Sequence, residues 1–115
     1  MSRSIAKCSD VVVPLGLDIS NVIDVEAEHA DAEIINIQAP AVLVETSLFE
    51  VSQDGVTFVT AQNSTAFGAP QDLAGPAAGK ARDIPSFVTK FWRLKLSAPA
   101  AAERTFKLTK AWNAW

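Results

Sequence analysis

The residues of this 115-residue chain that could do chemistry are few and scattered. The single histidine, His29, lies in "DVEAEHADAE" among Asp24, Glu26, Glu28, Asp31 and Glu33. Carboxylates and an imidazole are acceptable ligands for divalent cations, so a cation site can be drawn there. The spacing fits no recognised metal loop, because it lacks both the glycine turn of a calcium-binding hand and a second histidine to fix zinc. A polar connection with its charges in water is the simpler reading. Cys8 and His29 are the only thiol and imidazole, and nothing around Cys8 marks a helix N-terminus that would lower its pKa. Glu45 and Glu50 could be imagined as the carboxylate pair of a glycosidase, but any acidic β protein offers such pairs. In "GPAAGKA" only three residues separate Gly75 from Gly79, and Lys80 is followed by alanine where a phosphate-binding loop needs a magnesium-binding hydroxyl. No catalytic constellation emerges. The expectation is a non-enzyme without metal or cofactor.

The bulk composition narrows the partners. The chain is 49% hydrophobic and 20% charged, enough apolar surface to offset the entropy of ordering it. Its length suits one domain spanning residues 1–115. A net charge of -3 repels a phosphate backbone on average, and the basic stretches Lys80 to Arg82 and Lys90 to Lys95 alternate with apolar residues like the solvated face of a strand. Nucleic acid is therefore not an expected partner. "VVVPLGL" is too short and too interrupted to span a membrane. A lone cysteine and a beginning without an apolar leader core imply folding in a reducing cytoplasm.

The elements that would position any site follow a period of two. In "FWRLKLS", Trp92, Leu94 and Leu96 share one face, and Phe91, Arg93 and Lys95 share the other. "EIINIQA" sets Ile35, Ile37 and Ala39 against Ile34, Asn36 and Gln38. "RTFKLTKAW" gives Phe106, Leu108 and Trp112 one parity that only Lys110 breaks. "SNVIDVEAE" predicts a strand with Ile23 and Val25 on one side. "IAKCSDVVVPLGL" predicts an N-terminal edge strand ended by Pro14 and Gly16. "AVLVETSLFEVSQDGVTFVTA" adds further strands, and its Asp54-Gly55 step signals a hairpin that sets their register. "APAAAERT" could form a helical turn or two on alanine propensity. Six to eight short strands make an antiparallel β-sandwich, of jelly-roll or galactose-binding-like type, the expected fold.

Two features point outward. The Ala/Gly/Pro-rich segment 62–82 shows no alternation and exceeds the usual length of a structureless loop, so it is expected to dock or to be loose, with Phe67 and Leu73 as anchors. The C-terminal "KLTKAWNAW" places Trp112 and Trp115, two of three tryptophans, where chains usually fray. Either they cover the end of the chain's own core or they insert into a partner, tryptophan being enriched among interface anchors. Phe67, Leu73, Trp112 and Trp115 are the candidate partner-binding residues.

"FEVSQDGVTFVTA" and "DIPSFVTKFWRLKLS" together resemble the strand, Ser-x-Asp-Gly turn and later aromatic-arginine strand of discoidin-type, galactose-binding-like sandwiches. They cover about a quarter of the chain, and the ligand loops of that family have no counterpart that assigns a ligand to any residue. The compact alanine-rich β character, with its DG hairpin and "AAERTFKLTKAW" ending, also resembles small virion accessory proteins of tailed bacteriophages. That resemblance implies a capsid cement or decoration protein, made in the host cytoplasm, that docks on major capsid subunits and on copies of itself as a homo-oligomer. The alternative is a carbohydrate-binding module of a phage fibre or cell-surface protein.

Overall fold

The computed structural model describes residues 2–25, 33–63, 68–84 and 90–114, with side chains placed within 9–25, 36–63, 68–84 and 90–110. It is an antiparallel β-sandwich of two four-stranded sheets. Strands β1 (Ser2–Val13), β3 (Glu33–Gln38), β8 (Ala81–Asp83) and β10 (Arg104–Ala114) form one sheet in the order β1-β10-β3-β8. Strands β2 (Ile23–Asp24), β4 (Ser47–Ser52), β5 (Val59–Thr60) and β9 (Phe91–Leu96) form the other in the order β2-β9-β4-β5. The pairings nest: β1 with β10, β2 with β9, β3 with β8 and β4 with β5. This is one long hairpin rolled up until β10 also meets β3 and β9 also meets β4, the jelly-roll arrangement.

The alternation expected from the sequence builds the core. Trp92, Leu94 and Leu96 of β9 are buried against Val11, Val13, Ile37, Phe106 and Leu108 of the facing sheet. Phe49 meets Trp92 edge to face, with ring centroids 5.6 Å apart. In the 23–25 stretch Ile23 and Val25 face inward as expected, but only Ile23 and Asp24 pair in a ladder. Among the described residues no helix is long and apolar enough to cross a membrane.

Three expectations need correction. The segment 62–82 is not structureless. It holds β6 (Gln62–Asn63), β7 (Gln71–Asp72) and the start of β8, and Ala74 bridges to Leu48. Phe49 N donates to Leu73 O, Leu73 N to Ala61 O, and Ala61 N to Phe49 O, so the β6-β7 hairpin leaves the sheet from a closed three-way junction. Two-residue strands are too short to show alternation, which is why the sequence hid them. The second correction concerns "APAAAERT". It forms no helical turn, because Ala100 is buried and exchanges backbone hydrogen bonds with Gly16 and Leu17, and Arg104 begins β10. The third is the hairpin turn. Gly55 has the expected positive φ, 79°, but six residues separate β4 from β5, so the DG step shapes a larger loop.

Candidate functional site

Loops 14–17, 40–46, 74–79 and 97–102 converge at one end of the sandwich, where β1, β3 and β9 finish and β4 and β10 begin. Backbone hydrogen bonds tie them pairwise. Gly16 N donates to Ala100 O and Ala100 N to Leu17 O; Gly79 N donates to Pro40 O; Ser97 N donates to Thr46 O while Ser97 Oγ accepts from Thr46 N. Across all four loops the only charged residue is Glu45, and it is buried. Leu15, Leu17, Val42 and Val44, meanwhile, are 68, 50, 67 and 76% exposed. Leucine and valine turned toward water on loops tied to one another give this end an apolar character, with exposed Lys80 and Glu103 beside it in the chain.

The valines are held out by a buried ion pair. Arg104 Nε and Nη2 lie 2.9 and 3.1 Å from Glu45 Oε1 and Oε2, and Nη1 donates to Val42 O. Glu45 and the half-buried Leu43 therefore point inward, leaving Val42 and Val44 no direction but out. The Arg104 guanidinium holds the Glu45 carboxyl below its ordinary range, chiefly by hydrogen bonding, and Glu45 raises Arg104 in return. A cleft of about 220 Å³ lies between this loop and residues 74–78. Gly75 floors it so closely that a Cβ there would run into Ser47 Oγ.

The carboxylate pair imagined from the sequence is thus two separate ion pairs. Glu45 belongs to Arg104. Glu50 accepts from Arg93 Nε at 2.8 Å on the outer face of β4 and β9, where the Arg93 guanidinium also stacks 4.0 Å from the Phe58 ring. A general acid needs a raised pKa, and Glu45 has a lowered one. The basic stretches are only partly a solvated face: Arg82 is half-buried, its Nη1 bonds Ala74 O, and its guanidinium lies over Phe49.

The opposite end carries loop 53–58. Asp54 Oδ1 accepts from Val56 N and Thr57 N, each at 2.8 Å, and from the Ser52 hydroxyl, while Ser52 Oγ accepts from Asp54 N and Gly55 N. These donors lower the Asp54 pKa, the Thr57 amide most. Val56 stands 82% exposed on this loop, beside an apolar cleft of about 340 Å³.

Of the four partner-binding residues singled out from the sequence, Leu73 is the one whose side chain the structure describes. Leu73 is half-buried and packs on the chain's own core, so much of its surface already has a structural use. Trp112 lies in β10 opposite Ser4, which ties its backbone into the sheet; its side chain, Phe67 and Trp115 fall outside the described residues. So does His29 with most of its carboxylates. Among the described residues no group of three or more His, Cys, Asp or Glu side chains could hold a metal. Sequence reading missed Leu15, Leu17, Val42, Val44 and Arg104. The available signal was four separate connections that carry a single charge, Glu45, between them. No family model, curated protein or solved structure matches this chain.

Proposed function

We propose that this chain is a non-enzymatic assembly protein, a capsid cement or decoration protein that stabilises a virion shell by docking on major capsid subunits and on copies of itself. One observation carries the reading: the four-loop end offers exposed leucines and valines, no exposed charge, and a backbone fixed by cross-loop hydrogen bonds and the Arg104–Glu45 pair. An apolar surface ordered before contact loses little entropy on binding, so burial of its side chains converts efficiently into affinity. Many copies on one lattice multiply modest contacts by effective concentration. The carbohydrate alternative draws no support from the described rings: Phe49, Trp92 and Phe106 are buried, and Phe58 and Phe91 half-buried, where a sugar needs an exposed aromatic plane.

The test is gradient sedimentation of native particles from cells that make the chain, with Leu15→Asp and Val44→Asp variants alongside. The parent is expected to travel with a megadalton shell and the variants to stay at the top, still folded. A parent that stays at the top as a free 12.3 kDa species overturns the proposal.

A further inference from the structure

Asp54-Gly55 is the one Asp-Gly step in the sequence, which has no Asn-Gly step. Such a step can rearrange by itself. The Gly55 nitrogen, with no side chain on its own residue to shield it, attacks Asp54 Cγ. The new C–N bond closes a succinimide ring, and the amide proton leaves with the carboxyl OH as water. Water then adds back at either ring carbonyl. Addition at the former main-chain carbonyl of Asp54 breaks the original peptide C–N bond and leaves Gly55 joined through Cγ, an isoaspartate with one more methylene in the backbone. No oxidant or further reactant is needed.

Ring closure sets three conditions. The carboxyl must be neutral, because an ionised one has no hydroxyl to lose; the Gly55 N–H must be free; and Cγ must swing over the Gly55 nitrogen. The folded loop opposes each of them. Asp54 Oδ1 accepts from the Ser52 hydroxyl, Val56 N and Thr57 N at 2.9, 2.8 and 2.8 Å, and these donors favour the ionised form. Gly55 N donates to Ser52 Oγ at 2.9 Å, and Asp54 N reaches the same oxygen at 3.3 Å. On its other side Gly55 lies against Phe91, where an added Cβ would stand 3.3 Å from the ring. Ser52 thus holds both reacting groups, donating to the carboxylate and accepting from the amide. Its own position is set by the sheet: it ends β4 opposite Phe91 and is 4% exposed.

We infer that Ser52 guards Asp54-Gly55 against isomerisation in the folded chain, which makes this step a modification site that opens only when loop 53–58 releases Ser52. Ring closure gives up all three bonds to Oδ1 and the one from Gly55 to Ser52. In the isoaspartate Cγ has become a backbone carbonyl, so the carboxylate that anchors Val56 and Thr57 is gone from its place. The exposed Val56 and the apolar cleft beside it would then lose their fixed backbone. The hydrogen bonds that shape the loop also preserve it chemically. This inference does not depend on the proposed function.

Ageing the purified full chain, folded, at neutral pH and body temperature tests it. Isoaspartate is scored by enzymatic methyl transfer to its free carboxylate and located by peptide mapping. Ser52→Ala is expected to accumulate it about tenfold faster than the parent or more, the worth of one hydrogen bond to a charged group. Ser47→Ala is the control, a buried serine on the same strand whose Oγ has no hydrogen-bond partner among the described residues, and it should age like the parent. Should Ser52→Ala fail to fold, the parent aged in guanidinium chloride takes its place and should isomerise roughly a hundredfold faster than the folded parent, several such bonds being lost together; equal rates folded and unfolded overturn the inference. A folded Ser52→Ala chain that ages no faster than the parent also overturns it. So does one that ages more slowly, because Ser52 Oγ would then be relaying the Gly55 proton toward the Asp54 carboxylate and promoting the reaction. Equal acceleration in Ser47→Ala overturns it as well, since a general loosening of β4 would be the cause.

Discussion

At one end of the sandwich, loop 53–58 is held by Ser52 and Asp54 through hydrogen bonds that span at most three residues. At the other, loop 42–46 is held by Arg104, 59 residues further along from Glu45. Both ends present a valine to water on a fixed backbone. The first is assembled by its own sequence, whereas the second exists only once β10 has paired with β1 and brought Arg104 beneath the loop. A locally made turn survives changes elsewhere. A surface built from four distant loops is only as firm as the sheets that deliver them, and it can be larger and more specific for that reason.

Both ends rest on the same core. Trp92→Ala, deleting the largest fully buried side chain, should cost about 3–5 kcal/mol and expose both ends together in a denaturant titration. Arg104→Met separates them. It leaves Glu45 buried without its partner, so hydrogen exchange should quicken at residues 42–46 and Ala100 while amides 54–57 keep their protection. Equal loss at both ends would show that the apolar end is not separately clamped. Gly75→Ala, whose Cβ would meet Ser47 Oγ, should cost about 1–3 kcal/mol and loosen the same end. Gly55→Ala is its counterpart opposite: a residue at φ 79° with its Cβ against the Phe91 ring should cost about 1–2 kcal/mol and disturb only loop 53–58.

The smallest effect is on acid stability. Glu45, Asp54 and Asp18 have folded pKa values below their ordinary 4.5, 3.8 and 3.8, owing first to hydrogen bonds from Arg104, Thr57 N–H and Lys95 respectively. A depressed folded pKa means the unfolded chain binds more protons at low pH. The stabilisation is therefore complete well above those ordinary values and is lost as pH falls through the folded ones. A thermal melt should be flat through neutrality and fall below about pH 4.5. Asp54→Asn and Glu45→Gln should each start lower and fall less steeply, so the two ends can be titrated one at a time. A melting temperature that rises on acidification contradicts these assignments.

Much of the architecture was written in the order of residue types. The period-two runs of β9, β3 and β10 named Trp92, Leu94, Leu96, Ile37, Phe106 and Leu108 as core, and the burial of each agrees. Pro14 closed β1, and Gly55 took its positive φ, because proline and glycine act through their own backbone limits wherever the chain goes. Less of the candidate site was legible. "AVLVET" looks like strand, yet Val42 and Val44 face water, because what turns Leu43 and Glu45 inward is an arginine on a strand added at the end of the chain. Leu73, expected as an outward anchor, sits half-buried because the β6-β7 junction returns it to β4.

The sequence by itself determined the layers: alternation decides which side of each strand avoids water, and that choice depends only on neighbours two residues apart. Only the folded chain settles which connections share an end and which carboxylate meets which arginine. Those depend on how the long hairpin rolls, and the rolling is fixed by the sum of many distant contacts that no single stretch encodes.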